Sequence, residues 1–180
     1  ATFKAGIDYK LNEDVMFYAG WSQGYKGGGY GARSASMVTA GPTKDNTSEL
    51  FEAGMKGDFM DGALRLNLTG FITKFKDLEF GVFIPNPAVA SGQETAQLNV
   101  GKATSQGIEF EASLKATSNL RLNANIGYLD SKYDSFCTDL DGPSASATVP
   151  TSSCGKVTKL VNGQYLVDQD YTYLKLVRAP

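Results

Sequence analysis

Residues 64–73 read Leu64-Arg65-Leu66-Asn67-Leu68-Thr69-Gly70-Phe71-Ile72-Thr73. The even positions form an apolar set, and the odd positions are mostly polar. Alternation with a period of two describes a β-strand with one apolar face, whereas a helix would space its apolar residues by three or four. The same alternation recurs on either side. Phe3, Ala5, Ile7 and Tyr9 alternate with Lys4, Gly6, Asp8 and Lys10, and Val15, Phe17, Ala19 and Trp21 with Met16, Tyr18, Gly20 and Ser22. Phe51, Ala53, Met55, Gly57 and Phe59 are set against Glu52, Gly54, Lys56 and Asp58. Ile108, Phe110, Ala112 and Leu114 oppose Glu109, Glu111, Ser113 and Lys115. Leu120, Leu122, Ala124, Ile126 and Tyr128 oppose Arg121, Asn123, Asn125, Gly127 and Leu129. A further strand is expected near Tyr171-Thr172-Tyr173-Leu174-Lys175-Leu176.

The connections alternate in length. Tight turns are expected near 11–14, 60–63 and 116–119, and long loops rich in Gly, Ser, Thr, Asn and Pro near 26–47, 84–97 and 134–170. A soluble sandwich mixes loop lengths at both ends. Short turns at one end and long loops at the other describe an outer-membrane barrel, with periplasmic turns and extracellular loops. Each apolar face covers roughly nine residues, or about 23 Å for a tilted strand, close to the apolar band of such barrels at about 25 Å. Beyond that length the apolar parity carries Lys74 and Lys76 in one segment and Lys102, Thr104 and Gln106 in another. The strands are therefore expected to project past the membrane on the long-loop side. The fold class is all-β, a segment of a transmembrane antiparallel up-and-down β-barrel, with residues 1–180 forming part of a single barrel domain.

Composition removes other classes. The chain has 180 residues, 42% apolar and 20% charged, with a net charge of −2 and no histidine. Without histidine there is no His-based triad or His metal site. Near-neutral charge speaks against a nucleic-acid partner. No stretch approaches the ~18 consecutive apolar residues of a membrane-crossing helix. Cys137 and Cys154, the two cysteines, lie in one polar stretch. Lacking CxxC spacing or further ligands, they read as a disulfide closing a surface loop in an oxidising compartment rather than as a metal site. A chain that opens at Ala1 and stops at Pro180 with no element visibly closing reads as an excerpt of a longer polypeptide.

Several groupings invite chemistry. Gly27-Gly28-Gly29-Tyr30-Gly31-Ala32 matches a dinucleotide-binding pattern by letters, but that motif needs a helix to follow, and Arg33-Ser34-Ala35-Ser36 leads into more loop. Glu109 and Glu111 share a strand face. They read as members of a lumen network with Asp8, Lys56, Asp58, Arg65 and Arg121 rather than as an acid pair, because a solvated wall needs alternating donors and acceptors. If the turn at 116–119 pairs Leu114 with Leu120, Glu111 faces Asn123 and lies diagonal to Arg121. Trp21, Phe17, Phe51, Phe59, Phe3, Tyr9 and Tyr128 lie near the ends of the apolar faces, as an interfacial aromatic girdle does. Tyr25, Tyr30 and Arg33 in the first long loop are candidate contacts for a ligand in an external vestibule. No catalytic residue, metal or cofactor is expected.

In combination these residues resemble a known family. The blocks are Val15-Met16-Phe17-Tyr18-Ala19 followed by Ser22-Gln23-Gly24-Tyr25-Lys26-Gly27-Gly28-Gly29, and Ser48-Glu49-Leu50-Phe51-Glu52-Ala53-Gly54-Met55-Lys56 with Leu64-Arg65-Leu66-Asn67, Phe71 and Phe75-Lys76-Asp77-Leu78. Asn99-Val100-Gly101-Lys102-Ala103 leading to Gly107-Ile108-Glu109-Phe110-Glu111, and the closing Arg178-Ala179-Pro180, complete the set. The chain resembles the C-terminal part of the barrel of TonB-dependent outer-membrane receptors. The resemblance implies about six or seven strands of a barrel of about 22, occluded by a plug domain that is absent from these residues. It implies an active transport receptor in the outer membrane of a Gram-negative bacterium, not an enzyme. Such a receptor binds a scarce small-molecule nutrient or metal chelate, a ferric siderophore foremost and in other members cobalamin, haem or a saccharide. Its partners are the lipid bilayer, the plug and TonB. A passive porin, another outer-membrane barrel and a soluble β-rich adhesin or interaction module are the competing readings.

Overall fold

The computed structural model describes residues 1–31, 40–148 and 153–176. Eight strands form one antiparallel sheet: β1 (Lys4–Lys10), β2 (Val15–Lys26), β3 (Asn46–Phe59), β4 (Leu64–Pro85), β5 (Gln93–Lys115), β6 (Arg121–Thr138), β7 (Ser153–Lys159) and β8 (Tyr165–Asp170). Their order is β1-β2-β3-β4-β5-β6-β8-β7, so the first six run up and down as neighbours and a terminal hairpin attaches to the far end of β6.

Register turns six alternating segments into one surface. Tyr9 lies opposite Phe17, Phe17 opposite Met55, Met55 opposite Leu68, Leu68 opposite Phe110 and Phe110 opposite Ile126. The next row runs Ile7, Ala19, Ala53, Gly70, Ile108, Tyr128. Facing partners share a side of the pleat, so every apolar set falls on the same face. That face is bare: Ile7 is 69% exposed, Ile126 67% and Tyr128 70%. Among the described residues, none of the buried apolar side chains belongs to it. Val82, Ala96, Ala103, Tyr133, Phe136, Leu160, Leu166, Val167 and Tyr171 all lie toward the opposite end of the long strands from the tight turns. A sheet stabilised in water would bury its apolar face first.

The upper edge of the apolar face steps down across the sheet. The row Trp21, Phe51, Ile72 is apolar on β2, β3 and β4, whereas the same row continues as Gln106 and Asp130 on β5 and β6. One row corresponds to about 7 Å along a strand. A level apolar belt crosses tilted strands in this manner.

The tight connections are built from turn chemistry. Asn12 Oδ1 accepts the Asp14 and Val15 amides at 2.9 and 2.7 Å. Met60, Asp61 and Gly62 take positive φ angles of 57°, 53° and 79° to reverse the chain between β3 and β4. The third hairpin differs from the expected register. Leu114 pairs with Leu122, not Leu120, so Glu111 faces Asn125 and Arg121 faces Lys115. The cause is local: Leu120 is used in the turn, where its carbonyl accepts the Thr117 amide at 3.2 Å, and the ladder begins one residue later.

The other end is more ordered than its polar composition suggests. The stretches 84–97 and 134–170, read as long loops, hold the end of β4, the start of β5, the end of β6, and β7 and β8. Only the residues between Pro85 and Gln93 serve to reverse the chain between β4 and β5. Beyond the apolar belt neither face need be uniformly apolar, so alternation loses its sorting power there. The further strand expected near 171–176 lies earlier, as β8. Asp170 Oδ1 accepts the Thr172 amide at 2.9 Å and Leu174 bonds to the Tyr171 carbonyl at 3.0 Å, which makes a turn; Lys175 then bridges to Lys132.

At this end the apolar side of the sheet changes over. Phe75, Ala103 and Tyr133 continue the polar-face parity of Thr69, Glu109 and Gly127, yet they form an aromatic core with Phe80, Phe136 and Tyr171. Tyr133 and Phe136 rings lie 4.7 Å apart and Phe80 and Phe136 4.4 Å apart. Burial pushes the Tyr171 hydroxyl up to about 12. Above the core, the carboxylate of Asp139, 2% exposed, accepts the Gly142 and Val167 amides, each at 2.8 Å, and so fastens β8 over the end of β6. Cys137 and Cys154 are disulfide-bonded with Cα atoms 5.9 Å apart, tying β7 to the same place. Asp139→Ala leaves two buried amides unpaired, each costing about 1–3 kcal/mol. In the intact protein, amide exchange at Val167 is expected to accelerate at least tenfold while residues of β2 and β3 keep wild-type protection, as read by hydrogen-exchange mass spectrometry.

Candidate functional site

The polar face carries a lattice of hydrogen-bonding side chains fixed by the same register. Asp8, Tyr18, Gly54, Thr69, Glu109 and Gly127 form one row, and Lys10, Met16, Lys56, Asn67, Glu111 and Asn125 the next. Arg65 donates to Asp58 through Nε at 2.7 Å and through a terminal nitrogen at 2.9 Å, a two-point pair across β3 and β4. Asn67 donates to Glu111 at 3.2 Å. Lys56 stands 5.4 Å from the centre of the Tyr18 ring.

Tyr18 reaches across β3, and its hydroxyl meets Thr69 Oγ1 at 2.7 Å on β4. Glycine at position 54 makes this possible, since a Cβ there would lie 2.7 Å from the Tyr18 ring and 2.5 Å from the Leu68 carbonyl. The sequence reading missed Tyr18, Gly54 and Thr69. The signal was present, a glycine at an inward position beside a tyrosine on the neighbouring strand, but it needs the register to be seen.

Of the expected lumen residues, Asp58 with Arg65 and Glu111 with Asn67 are joined. Lys56 contacts the Tyr18 ring, and Asp8 and Glu109 share the Tyr18 row. Arg121 lies apart at the turn mouth, opposite Lys115. A polar cavity of about 410 Å³ opens on this face beside Lys10, Asp14, Lys56, Asp58 and Arg65.

The second cluster holds the base of the first long connection. Lys26 pairs with Glu79, and Thr43 donates to the same carboxylate. The Gly28 amide donates to Asp45 at 2.8 Å, the Gly29 amide to Thr43 Oγ1 at 3.0 Å, and the Thr43 amide to the Gly29 carbonyl at 2.8 Å. Asn99 clamps the far side: its amide group donates to the carbonyls of Lys44 at 3.0 Å and Asp77 at 2.7 Å, and its oxygen accepts the Lys44 amide at 2.7 Å. Asp77 sits at a bulge with φ 57°, which explains why its carbonyl is free to accept.

Tyr30, 75% exposed, lines a cavity of about 320 Å³ here with Lys26, Thr43, Glu79 and Gln97. Tyr25 corrects the expectation. It lies within β2, opposite Thr47 on the parity of the apolar face, because β2 and β3 stay paired as far as Lys26 and Asn46. Arg33 lies outside the described residues. Among the described residues no three metal-ligating side chains converge. The arrangement presents hydrogen-bond donors and acceptors on the polar face and at the base of the first long connection.

A family model described as TonB dependent receptor-like, beta-barrel, matches residues 1–175. The chain belongs to this family. Among curated relatives, it is 31% identical over 133 residues to the metal-pseudopaline receptor CntO of Pseudomonas aeruginosa, a match covering 73% of this chain and 17% of that protein. It is 27% identical over 128 residues to the ferric-pyoverdine M114 receptor PbuA of Pseudomonas sp. strain M114, covering 71% and 14%. The chain thus spans less than a fifth of the length of these curated relatives. In fold it is similar to the ferric yersiniabactin uptake receptor FyuA of Yersinia pestis, with TM-score 0.59, 24% identity, and coverage of 74% of this chain and 19% of that one. The members named here are transport receptors, not enzymes, and the TonB-dependent barrel family is an outer-membrane one.

Glu79 links the base of the first long connection to protonation. The Lys26 ammonium, then the Thr43 hydroxyl, hold its carboxyl below the ordinary value of 4.5 against the opposing effect of burial. The folded state favours the carboxylate, so the fastening of 27–31 to 40–45 is complete above pH 4.5 and is lost as the pH falls through the lowered value. Relative to intrinsic rates, amide exchange at Gly28 and Gly29 is expected to rise on acidification below 4.5. Glu79→Gln should show the released pattern already at neutral pH.

Proposed function

We propose that this chain is part of the barrel wall of an outer-membrane receptor that binds a metal chelate, a ferric siderophore foremost, and imports it with TonB-coupled energy. The observation that carries this reading is the continuous bare apolar face of β1–β6, backed by a polar lattice on the other side, in a member of the TonB-dependent receptor family. A sheet with that pair of faces suits a bilayer outside and a solvated, plugged interior within. The stepped edge of the apolar face agrees with strands tilted against a level membrane.

The expected geometry follows. The tight turns 11–14, 60–63 and 116–120 lie on the periplasmic side, and the long strands with their connections project outside. Asp8, Lys56, Asp58, Arg65, Glu109 and Glu111 face a plug domain, Arg121 sits at the rim, and the cavity beside Tyr30 opens to the ligand vestibule. Translocation requires no covalent step from these residues. The curated relatives, receptors for metal-pseudopaline and ferric-pyoverdine, support a chelated metal as cargo and favour this reading over a passive porin or a soluble adhesin.

Deletion of the whole gene is expected to abolish uptake of one labelled metal–siderophore complex under iron limitation. The intact gene should restore it, and uptake should stop when TonB is removed or the proton gradient is collapsed. Uptake that persists without TonB would instead identify a passive channel.

A further inference from the structure

The wall steps at its long-strand end. β2 and β3 stay paired as far as Lys26 and Asn46, and β3 and β4 as far as Thr47 and Lys76, whereas β4 and β5 continue together to Pro85 and Gln93. Along the strand, the stretch from Asp77 to Pro85 runs about 30 Å past the last β3 partner. The connection from β2 to β3 leaves the ladder beside this taller pair. It opens with Gly27, Gly28 and Gly29, which bring no side chain to hold it. Its course is therefore set by what β4 and β5 offer.

The two limbs of the connection first close on each other. The Gly31 amide donates to the Ala40 carbonyl at 2.7 Å and the Thr43 amide to the Gly29 carbonyl at 2.8 Å. A Cβ at position 28 would lie 2.0 Å from the Thr43 carbonyl oxygen, so only glycine permits this approach. Residues 27–31 and 40–45 thus form one narrow ribbon.

The ribbon is tied to two residues that are register partners, Glu79 on β4 and Asn99 on β5. Glu79 holds side chains, those of Lys26 and Thr43. Asn99 holds main chain: Oδ1 accepts the Lys44 amide at 2.7 Å while Nδ2 donates to the Lys44 carbonyl at 3.0 Å. Donating to and accepting from one residue is what a paired strand does in an antiparallel ladder. A single side chain here does the work of a strand beyond the end of β3. Nδ2 also donates to the Asp77 carbonyl at 2.7 Å and to Asn46 Oδ1 at 3.2 Å. Lys26 and Asn46 continue the polar-face parity of Tyr18 and Gly54, which puts the fastening on the side of the polar lattice. The isosteric carboxylate could not replace Asn99, because it would set an oxygen without a hydrogen against the Lys44 and Asp77 carbonyls.

We propose that Asn99 is a positioning residue for chelate binding: by docking the Lys44 peptide on the β4 bulge, it holds the ribbon where Tyr30 and the cavity of about 320 Å³ are formed. Tyr30 and Thr43 come to that cavity from the ribbon, and Glu79 and Gln97 from the taller pair of strands. The cavity exists only while the ribbon lies against that pair. Asn99 touches no chelate itself. It keeps the binding-competent arrangement populated, so its loss weakens apparent affinity in proportion to the fraction of receptors that stay docked. The proposal rests on the reading of the chain as part of a chelate receptor.

The test uses the intact receptor and two measurements. Nitroxides at Tyr30 and at Lys102, an exposed position on β5, report the ribbon's place without any ligand; both native cysteines are disulfide-bonded and take no label. Wild type is expected to give one narrow distance distribution, and Asn99→Asp and Asn99→Ala broad ones. The second measurement is TonB-driven uptake of the labelled metal–siderophore complex that the intact gene restores to a deletion strain. Both Asn99 variants should raise KM about tenfold and leave the maximal rate at the wild-type value. A merely structural role would instead lower the maximal rate through loss of folded receptor. Asn162→Ala, at the tip of the terminal hairpin, should behave as wild type in both measurements. Wild-type distances or wild-type KM in Asn99→Asp, or a fall in maximal rate at unchanged KM, would overturn the proposal. An intact receptor that imports no metal–siderophore complex contradicts the receptor reading, whereas wild-type distances in Asn99→Asp contradict the role of Asn99 whatever the cargo.

Discussion

The register of the β1–β6 ladder is the constraint on which the rest depends. Because side chains alternate with every residue, a slip of one position between any two strands would turn one strand's apolar set to the polar side. The wall is therefore all-or-none in its sidedness. Tyr9, Phe17, Met55, Leu68, Phe110 and Ile126 align only because each hairpin fixes its own count of turn residues. Turn chemistry at Asn12 and at Met60–Gly62 thus controls a surface several turns of chain away. The inward lattice depends on the same count, since the span from Tyr18 to Thr69 exists only while Gly54 lies between them.

At the long-strand end the solvent changes, and the structure changes with it. Outward positions become Lys74, Thr104 and Lys132, while the inward side at that height becomes the core of Phe75, Ala103, Tyr133 and Phe136. A protein that meets apolar surroundings along one stretch and water along the next must move its apolar side chains from the outside to the inside. Register irregularities between Phe75 and Leu78 and between Lys102 and Ala103 mark where this happens. The terminal hairpin, held by Asp139 and by the Cys137–Cys154 bond, covers the resulting core.

What was legible in the sequence follows from this division. Within the apolar stretch one rule sorts most positions, with Met16, Tyr18 and Phe71 as apolar exceptions on the polar side, so the six strands and their faces can be read by counting. Hairpin register was less legible, because whether Leu120 belongs to the turn or to the ladder depends on one backbone hydrogen bond. Beyond Lys74 the rule lapses. Strands with both faces near water or near their own small core look like loops, which hid the ends of β4, β5 and β6 and all of β7 and β8. Site residues divide in the same way. The inward positions of Asp58, Arg65 and Glu111 follow from parity, but their partners do not, and Tyr25 was misplaced because its glycine-rich surroundings disguised the end of a strand.

The central claim, that the even-numbered side chains from Leu64 to Ile72 in β4 contact lipid and the odd-numbered ones between them face the interior, is tested most directly by nitroxide scanning of residues 65–74 in the intact receptor reconstituted into bilayers. Accessibility to oxygen should peak at Leu66, Leu68, Gly70 and Ile72 and drop at Asn67, Thr69 and Phe71, with a polar nickel chelate favoured again at Lys74. A flat profile, or maxima at the odd positions, would contradict the account.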